Sequence, residues 1–234
     1  MKNIAVIFAG GVGTRMNSLV PKQFLKFKNK EILLYTIERF NFHDQIDAIA
    51  VACLKDYIPY VRKLVQKYRL DKVKWIVEGG ATGQLSIFNG INAVYNNIQD
   101  EDTVVLINDG VRPLVSHVLI SNCIKLAREF GAAVSVVKAV ETAAFYNDNQ
   151  IESVLDRSKI LNVKAPQAFK LNILFKIAKH AVEIGDIDNI DTLTLMNKKG
   201  IPVKFVETDY NNIKITTNTD FVLFKALQRL EDEK

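Results

Sequence analysis

An apolar run, Ile4-Ala5-Val6-Ile7-Phe8, empties into Ala9-Gly10-Gly11-Val12-Gly13-Thr14-Arg15-Met16, and Pro21-Lys22-Gln23 follows closely. The run predicts a buried strand. Three glycines in four positions let the backbone turn sharply and pass close to a ligand. Backbone N–H groups in such a loop can point inward at phosphate oxygens. Arg15 and Lys22 add fixed positive charge at the same place. A strand, a glycine loop and two cations predict a polyphosphate site at the carboxyl end of the first strand.

Three kinds of phosphate loop compete for this pattern. A P-loop ends in Gly-Lys-Ser/Thr, which is missing here. A dinucleotide fingerprint needs a third glycine where Met16 stands, which disfavours an NAD-dependent oxidoreductase. An arginine inside the loop suits a triphosphate better than a dinucleotide pyrophosphate. A nucleotidyltransferase loop is the reading that remains. A glycine-rich turn without a ligand would leave both cations unexplained.

The rest of the chain reads as one α/β domain, or one domain with a small appendage. Its 234 residues, 48% hydrophobic, suffice for a sizeable core. The formal net charge of +5 serves solubility or an anionic ligand, and small phosphates account for it. Lysines and arginines are spread rather than blocked, which argues against nucleic acid as a partner. Cys53 and Cys123 lie in apolar stretches, as reduced core residues of a cytosolic protein do. The histidines, His43, His117 and His180, stand apart without metal spacing and read as structural or surface residues. No apolar run is long enough to span a membrane, and the chain enters its first strand at once, leaving no room for a signal peptide.

Periodicity sets the order of elements. Strands are expected at 3–9, 47–53, 72–77, 103–107, 132–138 and 202–206. Helices are expected at 31–41, 56–69, 117–130, 171–184 and 191–198, with another opening at the Leu85-Ser86 turn and a last one capped by Asn218. The opening β-α-β-α-β alternation predicts parallel strands joined by right-handed crossovers. Ligands of such sheets bind beyond the carboxyl ends of the strands. Two further loops reach that edge. Glu78-Gly79-Gly80-Ala81-Thr82-Gly83-Gln84-Leu85-Ser86 offers backbone groups for a flat base, or a plain helix cap through Thr82 or Ser86. Asn108-Asp109-Gly110-Val111-Arg112-Pro113 follows the fourth strand. There Asp109 can hold Mg²⁺ beside a triphosphate and Arg112 can bind a second phosphate, or the two form an ion pair that only ties the loop. Residues 139–165, with the turn Asn147-Asp148-Asn149-Gln150, read as a hairpin arm projecting from the sheet, a device for dimerisation. Residues 211–217 read as an extended piece with one cation, Lys214.

With these residues in view, the chain resembles the polyol-phosphate cytidylyltransferases. Two relatives in that family act on ribitol 5-phosphate, for teichoic acid and capsule, and on 2-C-methyl-D-erythritol 4-phosphate, for isoprenoids. The likeness rests on the glycine loop, Pro21-Lys22-Gln23-Phe24, Gly79-Gly80 through Ser86, Asp109-Gly110-Val111-Arg112-Pro113, Pro166-Gln167-Ala168-Phe169 and Asn212-Ile213-Lys214-Ile215-Thr216. It implies a Rossmann-like nucleotidyltransferase fold, a mostly parallel sheet flanked by helices, and a homodimer built through the arm. The implied chemistry is attack of a polyol phosphate on CTP, with Mg²⁺ present and pyrophosphate leaving. By the same resemblance Arg15, Lys22 and Lys214 are catalytic. Ala9, Gly10, Gly11, Gly13, Thr14, Gly80, Ala81, Ser86 and Asp109 bind the nucleotide, with Asp109 at the metal. Arg112, Thr142, Arg157 and Asp191 bind the acceptor, Thr142 and Arg157 in the partner's site. Ala81, Gly83, Asn108 and Ala165 depart from the family's usual pattern; Gly-Thr-Arg-Met with Ile-Lys-Ile-Thr-Thr leans to ribitol, while Asp156-Arg157 leans back to the methylerythritol enzymes. A nucleotide-binding protein without turnover is the alternative of another class.

Overall fold

The computed structural model describes residues 2–11, 20–98, 100, 102–189 and 191–233. The first strand, β1 (Asn3–Ala9), is walled in on both faces, because its residues alternate between two cores. Ala5, Ile7 and Ala9 point to one layer, Ile4 and Val6 to the other. The neighbouring β4 (Ala48–Cys53) and β6 (Val104–Asp109) are buried at every position, as expected of parallel strands covered on both sides. Between β1 and β6 in sequence also lie β2 (Lys26–Phe27), β3 (Lys30–Glu31) and α1 (Ile32–Asn41) before β4, and α2 (Ile58–Lys67), β5 (Val73–Glu78) and α3 (Gly83–Tyr95) after it. Then follow α4 (His117–Phe130), β7 (Ala132–Lys138), β8 (Ala144–Asn147), β9 (Gln150–Val154), β10 (Leu161–Lys170), α5 (Leu171–Glu183), α6 (Thr192–Lys198), β11 (Lys204–Glu207) and α7 (Asn218–Asp232).

Seven strands pair in the order β11-β7-β10-β6-β1-β4-β5. Helices α1, α2 and α4 cover one face through Leu33, Ile37, Phe40, Val61, Leu64, Leu119 and Cys123. Helices α3, α5 and α6 cover the other through Ile87, Ile91, Val94, Leu174 and Met196. The chain builds outward from β1 through β4 to β5, then returns to lay β6 on the opposite side of β1. That reversal opens a crevice at the carboxyl ends of β1 and β6, where Phe8 and Asp109 are paired in register.

Strand β10 runs antiparallel between β6 and β7. Its direction decides what reaches the crevice: the end of β6 meets the beginning of β10, so Lys164 and Ala165 arrive beside Asp109. This corrects the boundary of the expected arm. Residues 161–165 belong to the central sheet, since the ten-residue β10 begins at Leu161 and Leu161 to Val163 already pair with β7, before Gln167 onward pairs with both β6 and β7. What stands apart is the β8–β9 hairpin, a two-stranded sheet of its own. Its turn places Asp148 and Asn149 at φ 46° and 64°, the mirror-image turn that suits strand twist. Phe145, Tyr146, Ile151 and Val154 on this hairpin are exposed.

One smaller expectation also changes. The last helix is capped by Thr217, whose side chain accepts from Asp220 N while the Asp220 carboxylate accepts from Thr217 N. Asn218 is therefore its first helical residue. Residues 211–217 form a turn and a connection outside the sheet, held by Ile215 N donating to Val111 O at 2.9 Å.

Candidate active site

Two cavities meet at the crevice. The first, about 180 Å³, is lined by Gly10, Gly11, Lys22, Gly80, Ala81 and Ser86 among others. The second, about 150 Å³, is lined by Ile107, Arg112, Lys164, Gln167, Asp191 and Thr192 among others. Phe8, Asp109 and Lys214 line both.

The walls of the first cavity are locked by side chains that the glycine pattern alone does not reveal. Gln23, nearly fully buried, donates to Ala9 O at 2.7 Å and Gly11 O at 3.0 Å, fixing the loop after β1 from below. Thr82 caps α3, accepting from Leu85 N. Ser86, also buried, accepts from Gly80 N at 3.0 Å and donates to Thr82 O at 3.0 Å. Thr82 is the cap of α3, while Gly80, Ala81 and Ser86 line the first cavity. A Cβ added at Gly10 would stand 2.5 Å from Ser86 Oγ, so this glycine is required for the two loops to touch.

Asp109 sits at the seam. Arg112 Nε donates to one of its oxygens at 2.8 Å and Lys214 Nζ to the other at 2.6 Å. Burial by itself would raise the Asp109 carboxyl, but Arg112 and then Lys214 outweigh it and hold the pKa below the ordinary value. The site therefore presents a buried carboxylate with two cations arranged around it. Arg112 Nη1 continues to Asn212 O at 3.0 Å, and Asn212 Nδ2 donates to Ala165 O at 2.7 Å. This chain of bonds ties the loop after β6, the connection carrying Lys214 and the start of β10 into one body. Asp191 caps α6 and accepts from Gln167 Nε2 at 3.1 Å.

Several expected site residues are thus brought together: Ala9, Gly10, Gly11, Lys22, Gly80, Ala81, Ser86, Asp109, Arg112, Asp191 and Lys214 all line one cavity or the other. Gly13, Thr14 and Arg15 lie outside the described residues. Thr142 and Arg157 line neither cavity. Thr142 precedes β8, and Arg157, which donates to Val140 O, lies beyond β9. Gln23, Lys164 and Gln167 are site residues that periodicity did not single out. Their signal was polar side chains inside or beside otherwise apolar, buried segments.

Among the described residues, no three His, Cys, Asp or Glu side chains cluster as a self-sufficient metal cage. Magnesium that arrives on nucleotide phosphates needs only one or two protein carboxylates, and Asp109 is the carboxylate lining the first cavity. Cys53 and Cys123 are free and buried, with thiols pushed by burial up to about 11 and about 12. His43 is buried against His117 O and Ser121 Oγ, away from the crevice. Among the described residues, no helix is long and apolar enough to cross a membrane.

A family model described as IspD, 2-C-methyl-D-erythritol 4-phosphate cytidylyltransferase, matches residues 3–229. The ribitol-5-phosphate cytidylyltransferase of Streptococcus agalactiae serotype III is 46% identical over 227 residues, covering 96% of this chain and 95% of that protein. The 2-C-methyl-D-erythritol 4-phosphate cytidylyltransferase of Clostridium novyi is 37% identical, covering 97% and 96%. The crystal structure of the Anaerococcus prevotii 4-diphosphocytidyl-2C-methyl-D-erythritol synthase superposes with a TM-score of 0.83 at 27% identity, covering 97% and 96% of the two chains. Nearly end to end, in sequence and in fold, this chain belongs to the IspD family of cytidylyltransferases, which are nucleotidyltransferase enzymes.

Proposed function

We propose that the chain transfers the cytidylyl group of CTP to ribitol 5-phosphate, giving CDP-ribitol and pyrophosphate. The observation that carries the reaction is that Lys214 and Asp109 line both cavities, so one lysine serves nucleotide and acceptor together. CTP occupies the first cavity, its base against Gly80, Ala81 and Ser86. Its phosphates lie along Gly10, Gly11 and Lys22, and the family resemblance assigns Arg15 to the same phosphates. The acceptor occupies the second cavity, near Arg112 and Asp191. An oxygen of the acceptor phosphate bonds to the α-phosphorus, and the bond from that phosphorus to the bridging oxygen of pyrophosphate breaks. The attacking oxygen is already anionic, so no general base is needed. The work is to hold two anions together and to stabilise the added charge of the transition state with preorganised cations. When bound at Asp109 with the triphosphate, Mg²⁺ shields phosphate charge.

The choice of ribitol 5-phosphate is supported by the higher identity to enzymes of that name. Methylerythritol 4-phosphate is the second reading, favoured by the description of the matching family. The homodimer belongs to the same proposal. Exposed apolar side chains on the β8–β9 hairpin need a cover, and Thr142 and Arg157, which line neither cavity of the crevice in their own chain, reach the acceptor cavity of a two-fold partner. A cytoplasmic setting suits an enzyme that consumes CTP and keeps both cysteines free. Pyrophosphate release with CTP, Mg²⁺ and each polyol phosphate in turn tests the assignment. Turnover with ribitol 5-phosphate is expected. Turnover with methylerythritol 4-phosphate alone would transfer the chain to the second reading, and CTP binding without turnover on any acceptor would leave only a binding protein.

A further inference from the structure

We propose that Lys164 is a second cationic contact for the phosphate of the acceptor, acting beside Arg112; the inference deepens the acceptor reading above and rests on it. Lys164 lies where β10 loses register with β7, between Val163 and Gln167. Such irregularities re-aim side chains beside active sites, and this one leaves Lys164 lining the second cavity. Its Nζ donates to Asn212 O at 3.2 Å, and the same oxygen accepts Arg112 Nη1 at 3.0 Å. Two cations therefore converge on one neutral carbonyl, an arrangement that repels itself until an anion joins it.

The ion pairs of the cavity leave Lys164 over. Three cations line it, Arg112, Lys164 and Lys214, against two carboxylates, Asp109 and Asp191. Asp109 is taken by Arg112 and Lys214. Asp191 is taken by Gln167 Nε2 and by the backbone and hydroxyl of Thr194. Among the described residues, no carboxylate lies within 4.0 Å of Lys164 Nζ. Burial, and then Arg112, push its ammonium below the ordinary lysine range, while Asp209 opposes weakly. A phosphate dianion in the cavity supplies the charge this corner lacks. It places its non-attacking oxygens between Lys164 and Arg112 and leaves Lys214 free to follow the reacting oxygen. A lysine that only tethers the Asn212 turn would look similar at rest but would not discriminate between the two substrates.

Steady-state kinetics on wild type, Lys164→Gln and Lys164→Arg decide between them, with pyrophosphate release as the readout. In Lys164→Gln the KM for the polyol phosphate should rise about 10- to 100-fold, the worth of one charge-assisted hydrogen bond. The KM for CTP and kcat at saturation should stay within about twofold. Lys164→Arg should recover most of the loss. An unchanged acceptor KM in Lys164→Gln would overturn the inference and leave the acceptor reading standing. An equal rise in both KM values would assign Lys164 to the tether and overturn it too. A wild type that turns over neither ribitol 5-phosphate nor methylerythritol 4-phosphate would remove the acceptor reading, and this inference with it.

Discussion

Asp109→Asn is the most informative single change. In the wild type, the two carboxylate oxygens each receive one cationic donor, Arg112 Nε at 2.8 Å and Lys214 Nζ at 2.6 Å. An amide has one oxygen. Whichever way the new amide turned, its NH₂ would face a cation. The oxygen would stay with Arg112, whose side chain is only 9% exposed, and Lys214, at 42%, would swing into solvent. Breaking a buried ion pair costs about 3–5 kcal/mol, and the lysine's escape puts this one near the lower end. With a urea m value of about 3 kcal/mol/M, a loss of about 3 kcal/mol lowers the midpoint by about 1 M. The pH dependence has a definite sign. The folded pKa of Asp109 is held below its unfolded value of about 3.9. Its contribution is therefore complete above about pH 4 and is lost as pH falls through the folded pKa. The gap between wild type and variant should be full at pH 7 and shrink below pH 4. Urea denaturation at pH 7 and at pH 3 measures both. A midpoint within about 0.2 M of wild type at pH 7 would refute the picture of a buried carboxylate that neutralises Arg112 and Lys214 together.

Three other changes probe the rest of the site. Lys22→Ala should leave the fold and melting temperature intact while pyrophosphate release falls by about 10²–10³; unchanged turnover would remove Lys22 from the mechanism and revive the non-catalytic reading. Gly10→Ala drives a methyl group into Ser86 Oγ, 2.5 Å away, and should weaken CTP binding by at least about tenfold in calorimetry. Adding Ser86→Ala should restore part of that affinity, and a simple sum of the two losses would show that the loops do not press on each other. Sedimentation should give twice the chain mass of 26.4 kDa at micromolar concentration. Charging the hairpin with Tyr146→Asp and Ile151→Asp should return it to about one chain mass, and a wild-type monomer would remove the roles given to Thr142 and Arg157.

Local periodicity carries much of the architecture. Strand β1, helix α4 at His117–Phe130 and the Asp148-Asn149 turn follow from patterns a few residues long, because burial on two faces, capping and turn chemistry are local demands. The cap of α7 is Thr217 rather than the neighbouring Asn218, since either side chain can cap and only the backbone angles of the folded chain choose. The arm boundary differs for another reason. Residues 161–165 look like a hairpin leg from their own sequence, and the strand that draws them into the central sheet, β7, lies beyond the whole β8–β9 hairpin along the chain.

By itself, then, the amino-acid sequence determined a glycine loop after a buried strand, cations at Lys22 and Lys214, and an acid at the end of β6. Each of these is written in contiguous residues, where backbone freedom and charge need no distant partner. Only the tertiary structure decided that Asp109 is shared by Arg112 and Lys214, that Gln23 and Ser86 clamp the loops around the first cavity, and that Lys164 lines the second. The cause is topological. Strand β10 runs against its neighbours, so its first residues land on the edge where the parallel strands end, and pairing across such a distance along the chain has no local signature to read.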